Sequence, residues 1–310
     1  MTHASGIHHI TAIASDPKTN YDFYTKLLGL RFIKKTVNFD DPSTYHFYFG
    51  DKVGSPGTIL TFFPYPGTPQ GRPGLGQAVE VTFAIPKTAF SFWLDRFHQK
   101  GIQYQGPEDR FGDKVLRISD PDGLMLEFVG VDDLPSENVW TTDEISADVA
   151  IRGFHSVTLW VQGYEKTAAL LNEHLGFHAV GNEESRFRFT TGKKGLGQTV
   201  DLRCLPEIWS GAPGAGTIHH VAWRIGGDKE EGHVRAALAR QGLNLTPVID
   251  RNYFHSVYFR EPNGVLFELA TDNPGFAVDE PVDTLGQDLK LPAQYEQHRE
   301  AIVAVLPPLE

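Results

Sequence analysis

Three residues that lie far apart in the sequence, His9, His220 and Glu268, are of types that could together hold a metal ion. Two imidazoles and one carboxylate form the ligand set of non-haem iron(II) oxygenases, which leaves coordination positions open for reactants. A His-His pair at a strand start is often only a polar strand end, and a late glutamate is often solvent-facing. Glu268, however, follows the apolar residues 265–267, where an unpaired carboxylate would be costly. Two equivalent His-His pairs and this glutamate therefore favour a metal site.

A fourfold repeat along the chain defines the elements that must position these residues. Each unit starts with a short segment rich in β-forming residues, which predicts a strand at residues 7–11, 78–82, 154–158 and 218–222. An amphipathic stretch ending before a glycine follows and predicts a helix with a left-handed C-terminal cap. The predicted helices span residues 20–28, 88–100, 165–175 and 230–241. Strand-like stretches follow, and the last in each unit begins at a glycine, at residues 57–61, 123–127, 197–201 and 264–268.

The repeat indicates which residues can meet in space. The unit is a strand, a helix and a small antiparallel ribbon, and alternate residues on a strand share a face. Equivalent positions on the first and last strands should therefore project alike. We call the four units modules one to four. In this order, the equivalent positions hold His9 and Thr61, Glu80 and Glu127, Ser156 and Asp201, and His220 and Glu268. If the modules pair into two concave sheets, only the pairing of module one with module four collects two histidines and one glutamate.

The predicted fold is of the α+β class, with four βαβββ modules forming two cupped mixed β-sheets with flanking helices. We predict three parts in the chain: modules one and two in residues 1–135, modules three and four in residues 150–272, and a C-terminal extension in residues 273–310. The extension is expected to pack on the body, because the apolar side chains of Leu285, Leu289 and Leu291 must be shielded from solvent. It is also expected to end in a short helix at residues 293–305.

Bulk properties restrict the classes of partner and compartment. The chain of 310 residues carries a formal net charge of −11, which argues against nucleic acid and anionic membranes as partners. The single cysteine, Cys204, excludes an internal disulfide and suits a reducing compartment. The N-terminal residues lack the features of a signal peptide, and no apolar run approaches the roughly twenty residues of a membrane span. These observations favour a cytoplasmic protein, and homo-oligomerisation stays open.

Several motifs resemble those of a known family. They are residues 6–11 (Gly-Ile-His-His-Ile-Thr), 32–38 (Phe-Ile-Lys-Lys-Thr-Val-Asn), 45–48 (Tyr-His-Phe-Tyr), 152–155 (Arg-Gly-Phe-His), 217–220 (Thr-Ile-His-His), the stretch from 250–254 (Asp-Arg-Asn-Tyr-Phe) to Tyr258, and 267–268 (Phe-Glu). On these motifs the chain resembles the vicinal oxygen chelate superfamily of glyoxalases, bleomycin resistance proteins and extradiol dioxygenases. It looks most like the dioxygenases that open hydroquinone rings, and the resemblance covers nearly the whole chain.

The resemblance implies an activity and a site. It implies an iron(II) ion on His9, His220 and Glu268, with manganese(II) as an alternative metal for the same ligands. It implies that a hydroquinone, with or without ring substituents, and O2 are the reactants, in the detoxification of quinones or other aromatics. It also implies functional roles near the metal for five further residues: His8, Thr11, His219, Arg251 and Tyr258.

Each of these neighbours has a structural alternative. Tyr258 could exchange a proton with the reactants or form only a cross-strand aromatic pair. Arg251 could stabilise developing negative charge or be a surface charge beside Asp250. Strand alternation turns His8 and His219 away from the ligand face, unless a β-bulge returns them to it. Thr11, by contrast, shares the face of His9.

The same fold supports other assignments. His155 could replace His9 if modules three and four formed the cup, as in catechol-cleaving extradiol dioxygenases, and His255 could reach the pocket or be solvated. A glyoxalase-type isomerase or lyase needs a second carboxylate as base, where this chain has Thr61. Thiol transferases of antibiotic resistance share the ligand set but resemble single two-module chains. A non-enzymatic protein that binds aromatics would typically lack the triad. The hydroquinone dioxygenase is therefore the favoured interpretation.

Overall fold

The computed structural model describes residues 3–192 and 195–309, and it has two curled eight-stranded mixed sheets. The described chain contains four βαβββ modules in succession, as the repeat predicted. The first sheet has the strand order β14-β15-β16-β13-β1-β4-β3-β2, and the second has the order β10-β11-β12-β9-β5-β8-β7-β6. The predicted fold class is therefore confirmed.

The strands of each module follow the same order along the chain. Modules one and two contain β1 (Ile7–Ala14), β2 (Arg31–Asn38), β3 (Asp41–Gly50), β4 (Ile59–Pro64), β5 (Gln77–Pro86), β6 (Tyr104–Arg110), β7 (Asp113–Ser119) and β8 (Met125–Val131). Modules three and four contain β9 (Gly153–Val161), β10 (His178–Glu183), β11 (Arg186–Thr190), β12 (Thr199–Cys204), β13 (Ile218–Ile225), β14 (Ile249–Asp250), β15 (His255–Arg260) and β16 (Leu266–Thr271).

The module pairing agrees with the pattern of ligand-type residues. Modules one and four share the first sheet, where β1 and β13 pair antiparallel, and modules two and three share the second sheet through β5 and β9. In every module the first and last strands run parallel side by side. Each sheet therefore has two symmetry-related first strands at its centre, where side chains on the concave face are shielded from solvent.

The helices lie one to a module. They are α1 (Pro17–Asp22), α2 (Phe90–Gln99), α3 (Glu165–His174) and α4 (Asp228–Arg240), followed in the C-terminal extension by α5 (Arg299–Val305). The glycine that ends each predicted module helix has positive φ, as the cap requires: Gly29, Gly101, Gly176 and Gly242. The apolar faces of the strands pack against these helices and form a continuous core. This core contains Ile10, Trp93, Leu171 and Leu238.

Two predicted helices differ most from the structure, and the others differ by one or two residues at their ends. α1 starts at Pro17 rather than at residue 20, because Asp16 accepts from the Thr19 N–H at 2.7 Å and proline is favourable at the first helical position. It is continued by a π-helical turn at Phe23–Leu27. The predicted helix at residues 293–305 divides into a 3-10 segment, Ala293–His298, and α5.

The C-terminal extension packs on modules one and four. Leu285 and Leu291 are buried as expected, and the Tyr45 hydroxyl donates to the carbonyl of Pro307 at 3.1 Å. No helix within residues 3–192 and 195–309 combines the length and the apolar character of a membrane span.

Candidate metal centre

The first sheet brings His9, His220 and Glu268 together on its concave face. His9 lies on β1, His220 on β13 and Glu268 on β16, and all three side chains are buried. The Nε2 atoms of His9 and His220 are 3.3 Å apart, and they lie 3.3 and 2.9 Å from Oε2 of Glu268. Three ligand-type atoms therefore converge on one point. Within the described residues no other group of three such side chains does so.

Two β-bulges explain how both members of each His-His pair reach this face. The register of β1 against β13 shifts between Ile7 and His9, and it shifts again at the point opposite His219. Each strand therefore carries one extra residue, His8 or His219, and a bulge re-aims side chains locally. Strand alternation alone would have turned these two rings away. The bulge that the sequence left as an alternative is the arrangement found.

Each ligand-type histidine ring contacts the ring of the histidine that precedes it. Nδ1 of His8 lies 2.9 Å from Nδ1 of His9, and Nδ1 of His219 lies 2.8 Å from Nδ1 of His220. With a metal bound to Nε2, Nδ1 of each ligand ring would carry the proton and donate a hydrogen bond to the neighbouring ring. Such partners fix the tautomer and the ring plane of a metal-binding histidine. His8 is anchored in turn by the backbone of Thr271.

The protonation states suit a metal ligand set. Burial lowers the pKa of His8 and of His220, so these imidazoles are neutral at pH 7. Burial alone would raise the pKa of Glu268, but His9 and His220 outweigh it and hold the pKa well below its ordinary value. Neutral imidazoles and an ionised carboxylate are the forms that bind a divalent cation.

The two carboxylate oxygens of Glu268 have different surroundings: Oε2 faces the point where the three ligand-type atoms converge, and Oε1 accepts a hydrogen bond. The hydroxyl of Ser256 on β15 donates to Oε1. Oε2 is buried, and the Nε2 atoms of His220 and His9 face it at 2.9 and 3.3 Å, but no described residue reaches it with hydrogen-bond geometry. A buried carboxylate oxygen without a donor is costly, and a cation at the convergence point would satisfy it. The residues present therefore fit a metal ion.

We expect Ser256→Ala to weaken metal binding about 10–100-fold, because the serine hydroxyl orients Glu268. Mn²⁺ titration followed by electron paramagnetic resonance measures the change. Ser156→Ala is the matched control, since Ser156 occupies the position of His220 in the second sheet, and it should leave Mn²⁺ affinity unchanged. Equal affinity in Ser256→Ala and Ser156→Ala would rule out this role for Ser256.

A cavity of about 510 Å³ opens onto the three ligands. Its walls are mostly aromatic: Phe39, Tyr48, Phe63, Tyr65, Phe254 and Tyr258. The Phe254 ring lies 4.8 Å from the His9 ring, so the aromatic wall begins directly at the ligand. A cavity of this size and lining suits a small aromatic molecule.

Tyr258 and Arg251 form the polar side of this cavity. Tyr258 on β15 pairs across the sheet with Glu268, and its ring meets the His220 ring edge-on at 5.6 Å. Nε of Arg251 donates to the Tyr258 hydroxyl at 3.3 Å, and the guanidinium also faces Asp40 at 3.4 Å. Burial raises the pKa of Tyr258, so the phenol keeps its proton at neutral pH. Arg251 is therefore part of the cavity wall, although its partner Asp40 is exposed.

The sequence did not assign partners to His46 and Tyr48, which also line the cavity. The Tyr48 hydroxyl lies 2.9 Å from Nδ1 of His46, and Nε2 of His46 lies 2.9 Å from Oγ1 of Thr61. Thr61 in turn donates to Thr11 at 2.8 Å. Thr61 thus occupies the position in module one that is equivalent to Glu268 in module four. It belongs to a hydrogen-bonded chain of uncharged side chains. The alternation of His46 and Tyr48 on a strand was the available signal, but their partners are distant in sequence.

The second sheet fills its equivalent positions with charge pairs. The buried carboxylates of Glu80, Glu127 and Asp201 face arginines from neighbouring strands, and we call the whole set the arginine–carboxylate network: Glu80, Glu127, Asp201, Arg110, Arg117, Arg186 and Arg188. Every one of these carboxylates accepts from a guanidinium at 2.7–2.8 Å. These carboxylates are therefore paired with arginines and do not offer free oxygens to a metal ion.

Two other histidines lie away from the ligands. Nδ1 of His155 contacts Oγ of Ser156 at 3.0 Å within the second sheet, so His155 does not join His220 and Glu268. Nδ1 of His255 pairs with Asp228 at 2.7 Å, and His255 does not line the cavity. Of the two candidates for the first imidazole, the structure brings His9 to the cluster.

Comparison with known proteins gives a consistent result. A profile of the Glyoxalase/Bleomycin resistance protein/Dioxygenase superfamily matches residues 6–128 and 153–269. The chain is 47% identical over 98% of its length to the Bacillus subtilis (strain 168) protein named "Putative ring-cleaving dioxygenase MhqO", of which 96% is covered. It is 31% identical over 97% of its length to the chlorohydroquinone/hydroquinone 1,2-dioxygenase of Sphingobium indicum, of which 95% is covered.

Solved structures agree on the fold. The crystal structure of a Bacillus subtilis protein described as a "putative dioxygenase" superposes with a TM-score of 0.96 at 45% identity, covering 100% of this chain and 99% of that one. Glyoxalase I from Zea mays superposes with a TM-score of 0.63 at 17% identity, covering 86% of this chain and 92% of that one. The second likeness concerns the fold alone.

Proposed function

The chain belongs to the Glyoxalase/Bleomycin resistance protein/Dioxygenase superfamily, and from that premise we propose that it is an iron(II)-dependent dioxygenase that opens a hydroquinone-type ring. The observation that carries the proposal is the convergence of His9, His220 and Glu268 at the base of an aromatic cavity. The relatives named as ring-cleaving dioxygenases, one of them acting on hydroquinone, support the substrate class.

The proposed reaction consumes only the aromatic and O2. The ring bond beside a hydroxyl-bearing carbon is broken, and both oxygen atoms enter the product, which is a semialdehyde acid. No external reductant is needed because the ring supplies the electrons. When bound, iron(II) on an open triad would let electrons pass from a deprotonated phenol to O2.

The chain's own residues perform the binding and the proton transfers. Phe254, Phe39 and Phe63 enclose the ring and exclude water. Tyr258 keeps its proton and can donate it to an oxygen of the reactants beside the ligands, and Arg251 stabilises negative charge there. The cluster has a single carboxylate, and Thr61 stands where a glyoxalase-type isomerase needs its second. This arrangement favours ring cleavage over isomerisation.

Tyr258→Phe should lower kcat by about 100-fold, because positioned proton donors contribute about 10²–10⁴-fold to such reactions. The Phe variant keeps the ring and the packing on His220 but loses the hydroxyl. Oxygen uptake with hydroquinone gives kcat, and metal analysis of the same samples should find unchanged occupancy. An unchanged kcat would remove Tyr258 from the proton-transfer step.

The metal and the substrate class are tested together. Metal-free protein is loaded anaerobically with Fe²⁺ or Mn²⁺, and oxygen uptake is then followed with hydroquinone, methylhydroquinone and catechol. We expect Fe²⁺ to support uptake with the two hydroquinones, with little uptake on catechol. Faster uptake with catechol would reassign the protein to catechol-type extradiol cleavage.

A further inference from the structure

The C-terminal extension contacts both rims of the proposed substrate cavity. One rim is the loop lip, residues 251–254, which contributes Arg251 and Phe254 to the cavity wall. The other is the hairpin lip, residues 38–40, which joins β2 to β3 and contributes all three of its residues. Arg251 and Asp40 form an ion pair at 3.4 Å, so the two lips meet. Neither lip contains a metal ligand.

Three contacts hold the loop lip to the extension. The N–H of Gly275 donates to the carbonyl of Tyr253 at 2.9 Å. The Tyr253 hydroxyl donates to Oδ2 of Asp279 at 2.9 Å. The Phe276 ring stacks on the Tyr253 ring at 5.0 Å and meets the Tyr48 ring at 5.2 Å. Because Tyr253 is the immediate neighbour of Phe254, these contacts fix the residue that packs on His9.

A buried ion pair secures Asp279 itself. Lys34 on β2 is 0% exposed, and its ammonium donates to Oδ1 of Asp279 at 2.7 Å and to Glu280. A buried ammonium without partners would be costly, so Lys34 needs these two carboxylates. Asp279 therefore bridges strand β2 and the loop lip, with one oxygen on each side.

The hairpin lip has its own attachment. The hydroxyl of Tyr295, in the 3-10 segment of the extension, donates to the carbonyl of Phe39 at 2.7 Å. Phe39 lies between Asn38 and Asp40 in the cavity wall. One tyrosine hydroxyl therefore links each lip to the extension. Tyr253 of the loop lip donates to the extension, and Tyr295 of the extension donates to the hairpin lip.

We propose that the C-terminal extension is a brace that holds both lips in the substrate-binding position, with Tyr253, Asp279 and Tyr295 as positioning residues. The proposal rests on the proposed function for the identity of the substrate, but the bracing contacts themselves do not depend on it. Loss of the brace should loosen the cavity wall while the metal ligands, which lie on the central strands, keep their geometry.

The test compares the double variant Tyr253→Phe/Tyr295→Phe with Tyr45→Phe in the full-length protein. Each substitution removes one tyrosine hydroxyl bond between the extension and the body, but Tyr45 bonds Pro307 and lines neither lip. We expect the double variant to lose about tenfold in kcat/KM for hydroquinone, mostly through KM, since each bond contributes modestly. Tyr45→Phe should stay within about twofold, and Mn²⁺ affinity should be unchanged in both.

A readout without turnover separates this proposal from the proposed function. Amide hydrogen exchange in peptides covering residues 36–42 and 249–256 should be faster in the double variant than in Tyr45→Phe. If hydroquinone is not a substrate, that exchange result still supports the brace. If exchange in the lips is the same in both variants, or if kcat/KM falls equally in both, the brace is overturned and the extension only covers the core.

Discussion

Replacing His9 with alanine is expected to remove the bound metal and to reduce oxygen uptake with hydroquinone at least about 100-fold. His9 supplies one of three converging ligand atoms, and its Nε2 lies 3.3 Å from both other ligand atoms. Loss of outer hydrogen-bond partners already costs about 10–100-fold in such sites, and loss of a ligand should cost more. Metal content of the purified variant and its oxygen uptake measure the effect.

His155→Ala provides the matched control for this prediction. His155 is itself the extra residue of a bulge in β9, as His219 is in β13, and it lies in the second sheet beside Ser156. Burial lowers the pKa of His155 to about 4, so it is a neutral side chain whose removal adds no charge imbalance at pH 7. We expect His155→Ala to keep its metal. A variant pair in which His155→Ala loses metal and His9→Ala retains it would contradict the proposed ligand set.

Replacing Glu127 with glutamine should destabilise the protein by about 3–5 kcal/mol, the largest effect on stability that we predict. Glu127 is fully buried and accepts from Arg110 and Arg117, each at 2.7 Å. Removing its charge leaves two guanidinium groups in the arginine–carboxylate network undercompensated. Urea denaturation at pH 7 gives the free energy of unfolding. Glu108→Gln is the control, because Glu108 meets the same arginines but is 54% exposed and should contribute about 1 kcal/mol or less.

The destabilisation caused by Glu127→Gln should decrease as the pH falls. Burial would raise the pKa of Glu127, but Arg110 and Arg117 lower it to about 2 from an ordinary value of 4.5. A depressed folded-state pKa gives a stabilisation that is complete above pH 4.5 and is lost as the pH falls towards 2. The difference between wild type and Glu127→Gln should therefore shrink between these pH values. A difference that is constant from pH 7 to pH 3 would show that the carboxylate charge is not its source.

The sequence predicted the modules and their pairing because both leave local signals. Each module has a β-rich segment, an amphipathic helix and a glycine with positive φ, such as Gly29 or Gly242. The distribution of histidines then distinguished one pairing of modules from the others. The start of α1 was mistaken because the cap at Asp16 and Pro17 lies outside the amphipathic stretch.

The surroundings of the ligands could not be predicted in the same way. Whether His8 and His219 turn towards the ligands depends on a register shift between β1 and β13, which are more than 200 residues apart in the chain. Ser256 and the chain from Tyr48 to Thr11 depend likewise on contacts between separate strands. The proposed role of the extension depends on single hydrogen bonds, from Tyr253 to Asp279 and from Tyr295 to the Phe39 carbonyl. None of these contacts has a periodic signature in the sequence.

The most direct measurement of the central claim is the stoichiometry of oxygen uptake by protein loaded with Fe²⁺. Metal-free protein is reconstituted anaerobically, its iron content is determined, and a known amount of hydroquinone is added in degassed buffer re-equilibrated with ¹⁸O2. We predict one iron per chain, one O2 consumed per hydroquinone, and a ring-opened product that carries both labelled atoms. Iron bound by the triad without oxygen uptake on any hydroquinone would contradict the dioxygenase assignment.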